Sequence, residues 1–361
     1  MSFRDFLGNQ STVDRLRAML ASGRFPPAVI LAGPEGAGKF TLAQMLAKAM
    51  NCLSPPTGDL PDFCGQCANC RRIGLADDLT ARFDEAVEAR DGLREADRRD
   101  TRILVQTHPD VVIVPPDPPQ MMIKVDQVRR VIESIHYRPG EARRKVYIFT
   151  DSAFMKEAAN ALLKILEEPP EYAHILLLTT NPGELLVTIR SRSAMFRLAP
   201  LASAELEQLL ARERSELNDK QRRLIAALSG GAVGKARSFD LGGYIEKRSD
   251  ALALLTSGED HSQLFRVTEA YRSGAEGKAN TEALVSVLYS LLQDVMALKS
   301  ENPELVRNTD ITAELRRLAT GVSFDWIAAA AARLGEVESG MRRNLLRSLS
   351  LDAFAVSLER G

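Results

Sequence analysis

The chain has 361 residues, with 47 Lys and Arg against 48 Asp and Glu, 45% apolar residues and four cysteines. At roughly 100–200 residues per domain it has room for two or three cores. A charged fraction of 26% and a net charge of −1 exclude a disordered chain and a strongly basic nucleic-acid surface, leaving at most a local patch. The best apolar run, residues 175–178, is strand-length and far short of the ~20 residues of a membrane helix. The opening Met-Ser-Phe-Arg-Asp-Phe carries acid and base where a signal peptide is apolar. The expected compartment is the cytoplasm.

In chain order, the first strand candidate is Val29-Ile30-Leu31-Ala32. Gly33-Pro-Glu-Gly-Ala-Gly38-Lys39 follows it and matches G-x-x-x-x-G-K between a strand and a helix, the context a phosphate loop requires. Glycines such as Gly33, Gly36 and Gly38 let backbone N–H groups curl around a phosphate, while the helix N-terminus and Lys39 add positive charge. A working loop continues with Ser or Thr as the Mg²⁺ ligand. Here Phe40 follows, and Thr41 is turned by ~100° on the helix that covers residues 41–50.

All four cysteines come next, spaced C-x11-C-x2-C-x2-C: Cys52, Cys64, Cys67 and Cys70. Two-residue spacers turn thiolates back onto one tetrahedral ion, and four thiolates close a structural zinc site with no open position. Gly65, Gln66, Ala68 and Asn69 suit a tight knuckle. The alternatives are four reduced thiols or a pair that oxidises. Residues 77–102 then mix acids and arginines around sparse apolar positions, Leu79, Phe83, Val87 and Leu93. The i,i+4 pairs Asp78/Arg82 and Glu95/Arg99 favour an exposed helical hairpin. It reads as a solvated insertion or as a docking element.

Further strands are expected at residues 111–114, 146–150 and 175–180, with helices at 126–135 and 156–168. Continuous apolar strands alternating with helices predict a parallel sheet covered on both faces. The strand at 146–150 ends in Asp151-Ser152, one carboxylate where an ATPase uses one acid for the metal and one for water. Asp151 is either the metal acid with Ser152 replacing the base, or the base with Thr150 replacing the metal acid, and it can equally be a helix cap. With Phe40, this is a second lesion: phosphate contacts persist, but Mg²⁺-dependent hydrolysis is not expected.

After residue 198 strand signals stop. A helix at 203–213 opens on Ser203, Asn218 and Gln221 have capping-box spacing for a second helix, and Ser229-Gly230-Gly231 breaks it before a short third one. Beyond Tyr244 the pattern is helical: Leu284, Leu288, Leu291, Val295 and Leu298 share one face, as do Leu345, Leu349, Ala353 and Val356.

Residues 160–170, Asn-Ala-Leu-Leu-Lys-Ile-Leu-Glu-Glu-Pro-Pro, resemble the same run in the AAA+ subunits of bacterial clamp loaders. Thr179-Thr-Asn-Pro182 resembles the sensor 1 strand end, and Thr188-Ile-Arg-Ser-Arg192-Ser193 the Ser-Arg-Cys motif with Ser for Cys. Phe3, Phe6, Leu7-Gly-Asn-Gln10, Leu16, Gly23-Arg24 and His108-Pro-Asp110 fit the same family. The resemblance implies an α/β P-loop (AAA+, RecA-like) domain at 1–199, with a zinc knob at 52–70 and a charged insertion at 76–103. A three-helix lid at 200–243 and an all-α collar at 244–361 would follow. The two lesions make the chain similar to the non-hydrolysing delta-prime type rather than the hydrolysing gamma/tau type. An active P-loop ATPase using Thr41 or Asp151 is the alternative, and a zinc-bearing nucleic-acid module a weaker third. Near Gly234, where a sensor 2 arginine belongs, only the offset cations Lys235 and Arg237 stand.

By that resemblance Arg192 is an arginine finger acting in trans, at a strand-to-turn edge; the alternative is a surface salt bridge. Glu167 and Glu168 read as helix-end, inter-subunit residues and His108 as a turn residue. Arg138, Arg143, Arg144 and Lys145 flank a Pro-Gly turn and either touch DNA phosphates or form a solvated loop. The implied partners are gamma/tau and delta subunits and, through the assembly, the beta sliding clamp and primed DNA. Zinc is the implied structural cofactor; occupancy of the loop by ATP or ADP is left open, and no membrane is involved.

Overall fold

The computed structural model describes residues 2–256, 268, 271, 275–342 and 347–356. It divides into two compact units, Met1–Leu201 with Ala232–Lys235, and Ala202–Gly231 with Ala236–Gly361. In the first, β1 (Ala28–Ala32), β2 (Val105–His108), β3 (Val111–Val114), β4 (Lys145–Phe149), β5 (Ala173–Thr179) and β6 (Ala194–Arg197) form one sheet, ordered β2-β3-β4-β5-β1-β6. Every pairing is parallel except β2 with β3.

Strands β1, β3, β4 and β5 are buried along their whole length, which is why they stand out as apolar runs. Their side chains alternate between two cores. Val29, Leu31, Ile113, Ile148, Leu176 and Leu178 pack with α1 (Gln10–Ala21), α2 (Lys39–Asn51) and α3 (Ala68–Gly74). Ile30, Val112, Tyr147, Phe149, Ile175 and Leu177 face α6 (Val125–Ile135) and α7 (Lys156–Glu167). The strand expected at 146–150 starts and stops one residue earlier, and the one at 175–180 begins at Ala173. Strands β2 and β6 were not expected. They are four-residue strands, fully or partly exposed at two or more positions, so neither produces an apolar run.

The charged segment forms α4 (Leu79–Asp91) and α5 (Glu95–Asp100), and no residue of α4 is buried. The expected pair Asp78/Arg82 does not form. Asp78 caps α4 by accepting from the Ala81 N–H at 3.1 Å, and Arg82 pairs with Glu85 at 2.7 Å. The side chain of Arg99 lies outside the described residues. The insertion is tied back through Arg90, 3.4 Å from Asp117, a fully buried carboxylate that also accepts from the Ile103 N–H and faces Lys124 at 2.9 Å.

The second unit is helical: α9 (Ser203–Glu213), α10 (Asp219–Ser229), α12 (Leu241–Thr256), α13 (Ala275–Lys299), α14 (Thr312–Gly321), α15 (Phe324–Arg342) and α16 (Arg347–Val356). Between α10 and α12, α11 (Val233–Arg237) spans the boundary of the two units. Ser203 is the first helical residue of α9 rather than its cap; the Ala202 N–H is held by Glu205 at 3.2 Å. The Asn218–Gln221 box forms reciprocally at 2.9 and 3.0 Å. The expected boundary at 243/244 falls inside α12.

Residues Ala279–Lys299 of α13 are long and apolar enough to span a membrane by composition, a feature the run-length reading passed over. Leu284, Leu288, Leu291 and Val295 are fully buried in the core of this unit, with Leu298 partly so. Leu345 lies outside the described residues, as does the side chain of Leu349. Ala353 and Val356 are exposed, and Leu351 and Phe354 form the buried face of α16 instead.

Candidate functional site

Parallel pairing brings the C-terminal ends of β1, β4 and β5 to one edge of the sheet, where α/β proteins place ligands. Ala32 is in register with Thr179 and Phe149 with Leu177, so the phosphate loop, Asp151 and Thr179 converge. Gly38 is the N-cap of α2 at φ +83, and a Cβ there would lie 2.9 Å from the Phe6 ring. Gly36, at φ +73, leaves no room either: its Cβ would meet the Ala232 Cβ at 2.8 Å. Both positions therefore demand glycine.

Lys39 donates to the carbonyls of Gly33 and Pro34, each at 2.8 Å. Burial lowers its pKa, opposed by the charges of Glu35 and Asp151. Phe40 packs partly buried against the core beneath α2, and Thr41 is exposed. Asp151 caps no helix; its carboxylate accepts from the Ala153 N–H at 2.9 Å. Thr150 and Ser152 flank Asp151, and the Ser152 hydroxyl accepts from Thr179 Oγ1 at 2.9 Å and donates to Glu184 at 2.8 Å.

Gly234 reaches the phosphate loop by its backbone, its N–H donating to the Gly36 carbonyl at 3.2 Å. Arg237 is committed elsewhere: its guanidinium forks onto Glu213 with two contacts of 2.7 Å, which holds that carboxyl below its usual range. Lys235 is exposed.

Arg192 is not at a strand edge. It is the C-cap of the short helix α8 (Val187–Ser191). Its guanidinium is 3.0 Å from Glu167 at the end of α7 and donates to the Thr188 carbonyl at 3.2 Å. The side chain is 38% exposed.

The four cysteine sulfurs lie within 4.8 Å of one another. Tetrahedral zinc at ~2.3 Å from each would hold them ~3.8 Å apart, a small contraction. Backbone N–H groups already point at sulfur: Cys64 to Cys52 at 3.3 Å, Cys67 to Cys64 at 3.3 Å, and Cys70 to Cys67 at 3.5 Å. Burial opposes ionisation of Cys67, but donors from Cys70 and Leu53 bring its pKa down to about 6. The Gln66 N–H lowers Cys64, while burial raises Cys52 and Cys70. The donor set fits a thiolate-bound cation. Phe63 stacks edge-on against Phe3 at 5.6 Å and Arg17 donates to the Pro61 carbonyl, so the loop is fastened to the sheet core.

The basic turn is less available than its sequence suggests. Lys145 is buried and donates to the Ser134 carbonyl at 2.6 Å, and Arg144 to that of Glu171 at 2.5 Å. Only Arg138 and Arg143 of the four are exposed. His108, expected as a turn residue, is the last residue of β2 just before the turn at 109–110; it is fully buried, and its Nδ1 accepts from the Asp110 N–H at 3.1 Å.

Asp110 had passed only as a family mark, yet its buried carboxylate accepts from Gly140, Glu141 and Ala142 at 3.0, 2.9 and 2.9 Å. Burial works against the charge, but the three N–H groups outweigh it and depress the pKa. Asp110→Ala is expected to cost about 3 kcal/mol by chemical denaturation, since three backbone N–H donors lose a charged acceptor. The contribution is complete above the unfolded value of about 3.9 and is lost as pH falls through the lower folded value. The gap between wild type and Asp110→Asn should therefore narrow below about pH 4; a constant gap would exclude this role.

A family model described as DNA polymerase III, delta subunit, matches residues 8–80 and 79–202, more than half of the chain. Among curated proteins, the chain is 29% identical to the DNA polymerase III subunit tau of Escherichia coli (strain K12), over 92% of this chain and 43% of that one. It is 30% identical to the DNA polymerase III subunit gamma of Buchnera aphidicola subsp. Acyrthosiphon pisum, over 65% of this chain and 56% of that one. It thus spans about half the length of these relatives. A solved DNA polymerase III gamma subunit-related protein from Thermotoga maritima aligns over 96% of this chain and 98% of that one, at 20% identity and a TM-score of 0.44.

Proposed function

This chain belongs to the DNA polymerase III, delta subunit family, and from that premise we propose that it is a non-hydrolysing, delta-prime-type subunit of a clamp loader, a non-catalytic part of a DNA polymerase holoenzyme. One observation carries the reading: the hydroxyl after Lys39 and one of the two acids that Mg²⁺-dependent hydrolysis uses are lacking at a phosphate edge that keeps its glycines and Lys39. Phe40 offers no oxygen, and Asp151 is a single carboxylate between Thr150 and Ser152 where two acids are needed. Gly33, Gly36, Gly38 and Lys39 can still contact phosphate, so nucleotide binding without turnover is compatible with the site.

In this reading Arg192 leaves Glu167 to stabilise charge developing in a neighbour's ATP site. Cys52, Cys64, Cys67 and Cys70 hold a structural zinc. The partners are gamma/tau and delta subunits and, through the assembly, the beta clamp and primed DNA; Arg138 and Arg143 are the residues of the basic turn left to meet phosphates. The cytoplasm is the proposed compartment. The lid and collar boundaries proposed for residues 200–361 belong to the same reading.

The test is ATP hydrolysis by the purified chain, alone and with gamma/tau and delta subunits. No turnover alone is expected, and a rate that depends on this chain in the mixture. Turnover by the chain alone, abolished by Lys39→Ala, would establish the competing reading of an active ATPase.

A further inference from the structure

Ser152 directly follows Asp151, and the site as described gives its hydroxyl no task. It is 4% exposed and lies in a directed chain of hydrogen bonds. Thr179 Oγ1 accepts from the Asn181 N–H at 3.0 Å, so its single proton goes to Ser152 Oγ at 2.9 Å. The Ser152 proton in turn goes to Glu184 Oε2 at 2.8 Å. An ionised carboxylate only accepts, which fixes the direction. Glu184 begins the segment that leads through Leu185 and α8 to Arg192. Leu185 and Ile189 anchor that segment by burial, at 3% and 0% exposure, but neither makes a directional bond with its side chain. Past the local turn in which Asn181 Oδ1 accepts from the Gly183 N–H, the Ser152 hydroxyl ties the ends of β4 and β5 to this segment at Glu184.

From this geometry we infer that Ser152 is a positioning residue: its hydroxyl couples the ends of β4 and β5 to Glu184 and so fixes the segment that presents Arg192. The inference rests on the reading of Arg192 as an arginine acting in trans. The same geometry makes an acid at position 152 disruptive. A carboxylate at 152 would face the Glu184 carboxylate at hydrogen-bond distance, two like charges with no donor between them.

Two readouts test it. In the isolated full chain, hydrogen exchange is followed at the amides of Ile189, Arg190, Arg192 and Ser193, which close the turns of α8. Ser152→Ala is expected to speed their exchange about three- to ten-fold, the range of one hydrogen bond. Ser152→Thr, which keeps the hydroxyl, should restore protection, and Ser152→Glu should lose it. Amides of β5 serve as the control for general destabilisation. In the assembly with hydrolysing subunits, Ser152→Ala should lower kcat by a similar factor with KM unchanged.

Unchanged exchange in α8, or exchange that rises equally in β5, would overturn the inference. So would faster exchange with an unchanged kcat while Arg192→Ala lowers it. If exchange rises but neither substitution alters the rate, the coupling to Glu184 stands and the trans role of Arg192 falls.

Discussion

Cys64→Ser combined with Cys67→Ser is expected to abolish zinc binding, from about one ion per chain to none, and to produce the largest loss of stability of any change argued for this protein. Binding of structural zinc by small peptides is worth about 10–16 kcal/mol, because the metal supplies the ordering. Here part of that order exists without it. Cys52 and Cys70 are 1% and 2% exposed within the sheet core, Phe63 is stacked on Phe3, and Lys48 pairs with Asp77 at 2.5 Å just past the cluster. A loss of about 5 kcal/mol is therefore the reasonable expectation, a fall of roughly 10–20 °C in the melting of the first unit. Chelation of the wild-type chain should reproduce the shift, and elemental analysis should follow it. A wild-type chain without zinc, whose melting a chelator leaves unchanged, would return the four cysteines to the status of reduced thiols.

What could be read in the sequence, and what could not, divides along the physics of burial. Strands β1, β3, β4 and β5 are covered on both faces, so every residue had to be apolar and the runs were visible. The edge strands β2 and β6 alternate with water or lie half-covered, and nothing in four residues separates them from a loop. The same holds for the site. The phosphate-loop pattern, the cysteine cluster and the lone Asp151 are local patterns, legible because their members are neighbours in the chain.

Asp110 with Gly140, Asp117 with Arg90 and Ser152 with Glu184 pair across 30, 27 and 32 residues of chain. A single carboxylate or hydroxyl carries no signal of its distant partner. The helical stripe at 353 and 356 failed for a related reason. Periodicity names a face, but packing chose the larger Leu351 and Phe354.

Arg192→Ala is expected to lower the ATPase rate of the reconstituted assembly at least ten-fold, about 1.4 kcal/mol of transition-state stabilisation. Arginine fingers supplied in trans are worth 10³–10⁵, so ten-fold is a floor. The side chain is available for that role on energetic grounds. Its pairing with Glu167 at 3.0 Å is a surface ion pair, 38% and 54% exposed, and such pairs contribute about 0–1 kcal/mol. Giving it up costs little against a charge forming on phosphoryl oxygens in a site closed to water.

The fold should be indifferent to the change, because the Arg192 guanidinium holds a surface ion pair with Glu167 and one bond to the Thr188 carbonyl. Melting within about 2 °C of wild type is the matching control. Arg192→Lys should not rescue, since an ammonium cannot reproduce the planar fork. The loss should fall on kcat and leave KM in place, the mark of an interaction made only in the transition state. A raised KM with unchanged kcat would instead assign Arg192 to holding the subunits together, the simple salt-bridge role that its contact with Glu167 already displays.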